Sequence, residues 1–289
     1  MRKKGHDVEV LHPNAPTTNA GIKVDNEPLT VYLQKTGQTL RGIIKKETAL
    51  VTRIFDQRVR SFINNVLMDQ GEKGMKIKKY MYRVEFQARL APHIHGCAWM
   101  SEEKLEKCRI KETSEFDTNS KHLTSLIDEF VTCELPEDEN LRNIVKEVQS
   151  HTCSKTCRKK GPKCRFGFPR LPSNKTLISI PIDKGNKDAV EKFKSNKALL
   201  KKVREHIDNK EFNKNQTLEE ILADLEIDEK VYEEALSMSD RGKQVVLKRK
   251  PNECFINNYN KRFISAYQAN MDIQICTHAY AVITYIRDY

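Results

Sequence analysis

VEFQARLAPHIHGCAWM, residues 84–100, has at its centre His93-Ile94-His95, two histidines separated by one apolar residue. Successive side chains of a strand point to opposite faces, so a His-x-His pair puts both imidazoles on one side and Ile94 on the other. Upstream, Tyr82, Val84 and Phe86 alternate with Arg83, Glu85 and Gln87, the signature of a second strand. The break Ala88–Pro92 suits a hairpin loop, which brings Glu85 or Gln87 beside the histidines. Two nitrogens and one oxygen form a three-ligand site with open positions, the arrangement that serves metal-assisted phosphoryl chemistry. A His-x-His pair alone also fits two ordinary half-buried strand histidines, so the remainder of the chain has to decide.

Working outward, Thr48–Met68 carries Val51, Ile54, Phe55, Val59, Phe62, Ile63, Val66 and Leu67 at helical spacing, an apolar face expected to pack on a sheet. Residues 1–28 read as an irregular lead-in, and Leu29–Leu33 as a short strand. After the hairpin, Ser101-Glu-Glu opens a short helix, and helices are expected near Lys121–Val131 and Glu137–Gln149. Residues 171–185 read as a linker. The block 186–239 reads as a helical insertion, with Asp188–Ile207, a capping box at Thr217-Leu-Glu-Glu220, and Asp228–Met238. Val245–Leu247 and Cys254–Asn258 are further strand candidates.

The 289 residues carry a formal charge of +11, which favours a polyanionic partner, nucleic acid first. No run approaches the roughly 18–20 apolar residues of a membrane span, and MRKKGHDVEV lacks the apolar core of a signal peptide. Eight cysteines in such a chain suggest reduced thiols, some of them metal ligands, in a nuclear or cytosolic protein. His151, Cys153, Cys157 and Cys164 fit a closed tetrahedral zinc site, against the plainer reading of four unrelated side chains. Lys159, Lys160, Lys163, Arg165 and Phe166 lie among them, and cations interleaved with aromatics suit single-stranded nucleic acid. Lys248-Arg249-Lys250 supplies a second basic loop.

At the end of the chain, Ile275, Ala279, Val282, Ile283 and Ile286 mark a buried helix on which Tyr285 and Tyr289 share a face. The helical pattern runs to Tyr289 without a stop signal, so the chain reads as a piece of a longer protein. Two histidines that can hold a metal, two tyrosines and a basic exterior together suggest tyrosine attack on a DNA phosphodiester.

GluPheGlnAlaArg followed by ProHisIleHis resembles the metal-binding motif of the Rep nuclease domain in Helitron rolling-circle transposases, which are His-hydrophobe-His endonucleases. The run from His151 to CysArgPheGlyPhePro, LysArgLysProAsn with PheIleAsnAsnTyrAsn, and Asn-x-AspIleGln before TyrIleArgAspTyr extend the resemblance over roughly 80–289. It implies an α+β fold over 29–289, with a central antiparallel sheet, packed helices and a zinc-binding segment at 151–170. It also implies Mg²⁺ or Mn²⁺ at His93 and His95, with Glu85 or Gln87 as third ligand, and Tyr285 and Tyr289 as nucleophiles on single-stranded DNA. Family members continue into a helicase domain, and no stretch of this chain resembles a nucleotide-binding loop.

Overall fold

The computed structural model describes residues 8–10, 22–24, 27–28, 34–37, 39–71, 74–86, 92–109, 121–154, 157, 163–240 and 242–276. They form two compact units, one from Met1–Glu106 and Arg262–Ala269, the other from Lys107–Lys261 and Asn270–Thr277.

In the first unit, β1 (Val8–Val10), β2 (Ile22–Val24) and β3 (Glu27–Pro28) make a small antiparallel sheet where irregular chain was expected. Helices α1 (Leu40–Lys46) and α2 (Thr48–Phe62) follow, and α2 continues as a π-turn over Ile63–Leu67. The apolar stripe of α2 buries Val59 and Ile63, as its spacing predicts. The ring contacts of Phe62 are with another helix, Lys261–Tyr267, rather than with a sheet. It meets Phe263 edge-on at 5.0 Å and Tyr267 at 5.3 Å. Arg58 joins this contact, donating to the Tyr267 carbonyl at 2.6 Å with its guanidinium over the Tyr267 ring.

The hairpin is β4 (Ile77–Phe86) and β5 (Pro92–Met100), antiparallel, with Glu85 opposite His93 and Arg83 opposite His95. Two devices fix its register. A β-bulge between Ile77 and Lys79 sets the open end, where the Ser101 amide donates to the Lys76 carbonyl at 2.8 Å. Near the site, Gly96 lies against β4: a Cβ there would sit 2.8 Å from the Met81 carbonyl oxygen and 3.1 Å from the Tyr82 Cβ. A larger residue would push the strands apart beside His95. The short helix α3 (Glu102–Leu105) leads the chain out of the hairpin.

The second unit opens with α4 (Lys121–Phe130), which buries Leu123, Ile127 and Phe130. Asp138 caps α5 (Glu139–Val148) by accepting from the Leu141 amide. The segment expected to be a linker contains β6 (Leu177–Pro181), with two partners of its own. After α6 (Lys187–Ile207), α7 (Leu218–Asp224) and α8 (Glu229–Leu236), β7 (Met238–Ser239) pairs parallel to β6, and β8 (Gln244–Val246) pairs antiparallel to it. The capping box expected at Thr217 with Glu220 is present, and Asn186 and Asp228 cap the other two helices.

Their buried faces supply one apolar cluster: Val203, Ile207, Leu218, Ile221, Tyr232 and Leu236. Each such side chain contributes roughly 1.5–3 kcal/mol on leaving water. The helical block therefore brings its own core. The mixed α+β class holds, but the described strands lie in three small sheets rather than one central antiparallel sheet, and one pairing is parallel.

Candidate metal centres

Cross-strand pairing builds the first centre. Glu85 on β4 faces His93 on β5, and the two-residue period returns His95 to the same side. The Nε2 atoms of His93 and His95 lie 2.8 Å apart, and Glu85 Oε2 is 3.4 Å from the first and 3.1 Å from the second. Donors about 2.1 Å from one ion and at right angles to each other lie about 3 Å apart, so the spacing of the three atoms is compatible with their holding a hard divalent cation. The imidazoles are partly buried and the carboxylate is about half exposed. Burial, reinforced by His93, lowers the His95 pKa against the opposing pull of Glu85 and favours the neutral, ligating imidazole. Gln87, the alternative third ligand, and the tyrosine nucleophiles Tyr285 and Tyr289 lie outside the described residues.

The second centre gathers His151, Cys153, Cys157 and Cys164, whose ligating atoms all lie within 4.8 Å of one another. His151 Nε2 is 3.4 Å from Cys153 Sγ and 3.3 Å from Cys164 Sγ. Zn–S bonds of about 2.3 Å and Zn–N bonds of about 2.0 Å at tetrahedral angles give N···S separations near 3.5 Å, so the set fits zinc with no open position. Burial raises the Cys157 thiol, yet the net shift is downward. The Ser154 amide and hydroxyl and the Cys153 and Cys164 thiols favour the thiolate, the amide donating to Cys157 Sγ at 3.0 Å.

Backbone hydrogen bonds from Arg165 and Gly167 to the cysteine carbonyls shape this knuckle. The Arg165 amide donates to the Cys157 carbonyl at 2.9 Å, and the Gly167 amide to the Cys164 carbonyl at 3.0 Å. Gly167, at φ +77°, occupies the left-handed region that favours glycine. The Phe168 ring lies parallel to the His151 imidazole at 4.3 Å and fixes its plane.

The segment after β8 anchors the knuckle. Phe255 accepts from the His151 amide at 2.7 Å, and Cys254 from the Arg170 amide at 2.8 Å. Arg249 corrects an expectation. Although flanked by exposed lysines, it is 5% exposed and does not face solvent as a phosphate contact. Its guanidinium donates to the carbonyls of Glu253 at 2.6 Å and Ile256 at 2.7 Å and to Asn258 Oδ1 at 3.1 Å. Five donors in a rigid fork explain the choice of arginine, which knots the loop that carries Phe255. Sequence reading missed Ser154, Phe168 and Phe255 as supports, because none has ligand chemistry of its own.

The other basic candidates remain on the surface. Lys163, Arg165 and Phe166 are exposed, with the Arg165 guanidinium 4.5 Å from the Phe166 ring centre. Lys248 and Lys250 are exposed, Lys248 with Glu134 only at 3.9 Å. Lys159 and Lys160 lie outside the described residues. Among the described residues no helix is long and apolar enough to cross a membrane.

Residues 17–97 match the family described as the Helitron helicase-like domain at the N-terminus, a span that takes in Glu85, His93 and His95 and stops short of the cysteine knuckle. A search of curated proteins and a search of solved structures each returned no match.

Proposed function

We propose that the chain nicks single-stranded DNA and transfers the strand through a tyrosine-linked intermediate, a reading supported by the match of residues 17–97 to the Helitron helicase-like family. The observation that carries this reading is the convergence of Glu85 Oε2 with the two imidazole Nε2 atoms. Glu85, His93 and His95 would hold Mg²⁺ or Mn²⁺, with Gln87 the alternative oxygen ligand. Such an ion, when bound, withdraws charge from the non-bridging phosphate oxygens. The phenol of Tyr285 or Tyr289 loses its proton to solvent and attacks phosphorus. The P–O3′ bond breaks, the 3′ oxygen takes up a proton, and the 5′ phosphate stays as a phosphotyrosine ester. That ester conserves the bond, so a second 3′-hydroxyl can reverse the step and join a new strand. Lys163, Arg165, Phe166, Lys248 and Lys250 contribute contacts to the DNA, and Lys159 and Lys160 belong to the same reading. A helicase domain in cis would supply the single strand, in the nucleus or cytosol.

The test is incubation of the chain with Mn²⁺ and a single-stranded oligonucleotide. Cleavage should leave the 5′ phosphate covalently attached to protein, and the Tyr285→Phe, Tyr289→Phe double variant should lose both cleavage and adduct. A double variant that cuts as well as wild type, or cutting without an adduct, overturns the tyrosine mechanism. The second outcome would select water as the nucleophile.

The zinc-compatible knuckle favours a second reading, a non-catalytic nucleic-acid-binding module stabilised by zinc. Stoichiometric zinc and salt-dependent DNA binding, with no cleavage in any divalent metal, would select it.

A further inference from the structure

The face of the hairpin that carries Glu85, His93 and His95 does not end at His95. Pairing continues without interruption through Arg83↔His95, Met81↔Cys97 and Lys79↔Trp99, so these side chains extend one strip along the sheet. Trp99 lies about 13 Å from His95 along the strand, four residues at about 3.3 Å each. It is 42% exposed, and Met81, diagonally adjacent, is 45% exposed. An exposed indole on a regular strand forgoes the burial that usually keeps tryptophan inside, and such a ring is a stacking surface.

The cations on the strip are as unusual. Arg83 and Lys79 are exposed, and among the described residues neither has an ion-pair partner. Arg83 sits directly across from a residue suited to ligating a divalent cation, so two positive charges would face each other with Glu85 as the nearby counter-charge. A substrate phosphate between them removes the conflict.

We propose that Lys79, Arg83 and Trp99 form the strip that seats single-stranded DNA against the metal centre. Arg83 grips the backbone next to the scissile phosphate, Lys79 holds a more distant phosphate, and Trp99 stacks on a base. The occupant follows from charge complementarity combined with an aromatic platform, the pairing that unpaired bases and phosphates require. The strip deepens the nickase reading and rests on it for the identity of the site, but binding to it needs neither metal nor tyrosine.

Trp99 is the only tryptophan in the chain, so intrinsic emission reports on this strip alone. The full chain is titrated with single-stranded oligodeoxythymidylate in EDTA, following tryptophan emission and, in parallel, the anisotropy of labelled oligonucleotide. Saturable quenching is expected. Trp99→Leu should weaken binding about 5- to 100-fold, the loss of one stacked base, and Trp99→Phe should restore most of it. Arg83→Ala should lower the salt slope by about one. Tyr80→Ala, on the opposite face, should leave both unchanged. Thermal unfolding identifies any variant that fails to fold, and the wild-type emission titration does not depend on variants.

Binding with unchanged emission, or tryptophan and arginine variants that fold and bind as wild type does, overturns the strip. If cleavage persists with unchanged emission, the nickase reading survives and the strip does not. Quenching without cleavage keeps the strip and discards the chemistry.

Discussion

Gly96 and Arg249 differ in kind from the residues around them. Gly96 is required by proximity, since the Met81 carbonyl occupies the space a side chain would need. Gly96→Ala should cost about 1–3 kcal/mol in denaturant unfolding, as overpacking in a closed contact does, and should weaken metal binding by moving His95. Arg249 holds three acceptors at once, two of them in buried hydrogen bonds. Arg249→Met, which keeps length but not donors, should lose about 3 kcal/mol, the cost of leaving such groups unpaired. Chemical denaturation read by circular dichroism checks both. At this scale the sequence was half legible. His93 and His95 could be put on one face, with Glu85 or Gln87 beside them, because a strand's period is rigid and their chemistry is distinctive. Arg249 could not, because a basic triplet looks the same whether its middle member faces water or its own loop.

The knuckle at 151–170 and the helices after it make their predictions as elements. Burial pushes the thiols of Cys133 and Cys254 up to about 12, so neither presents a thiolate near neutrality. Alkylation of the folded chain at pH 7 should label exposed Cys276 first. A strong chelator should then add Cys153, Cys157 and Cys164, whereas Cys133 and Cys254 should react only on global unfolding. Peptide mass spectrometry reads the order. Labelling of the three knuckle cysteines at full rate without chelator would contradict a metal-closed knuckle.

Helices α6, α7 and α8 were readable because caps and periodicity are local. Strand β6 was not, because five residues ending at Pro181 become a strand only through β7 and β8, which lie far along the chain. The strands β1, β2 and β3 went unseen for the same reason. Each is two or three residues long and is defined by its neighbour rather than by any pattern of its own.

At the scale of the whole molecule, a contact that spans the sequence, Asp69 with Arg262, contributes to acid stability. Asp69 accepts from the Gly71 amide and pairs with Arg262 at 2.5 Å, and both interactions hold its carboxyl below the ordinary 3.8. A depressed carboxylate stabilises the fold fully above its unfolded value, and the contribution is lost as pH falls through the lower folded value. Melting temperatures measured from pH 5 down to 2 should therefore fall, and less steeply in Asp69→Asn. The net charge of +11 follows from composition alone and is enough to favour a polyanionic partner. Charge carries no geometry, however, and the separation of the strands into three small sheets depends on pairings between distant segments, which no local pattern encodes.

The claim on which the rest stands is that Glu85, His93 and His95 share one divalent cation. Pulsed electron paramagnetic resonance of the chain with one equivalent of Mn²⁺ tests it directly, because imidazole nitrogens bound to Mn²⁺ give resolved ¹⁴N couplings. Wild type should show two imidazole nitrogens, and His93→Ala and His95→Ala one each. A bound Mn²⁺ with no imidazole coupling, or couplings unchanged in both variants, would contradict it.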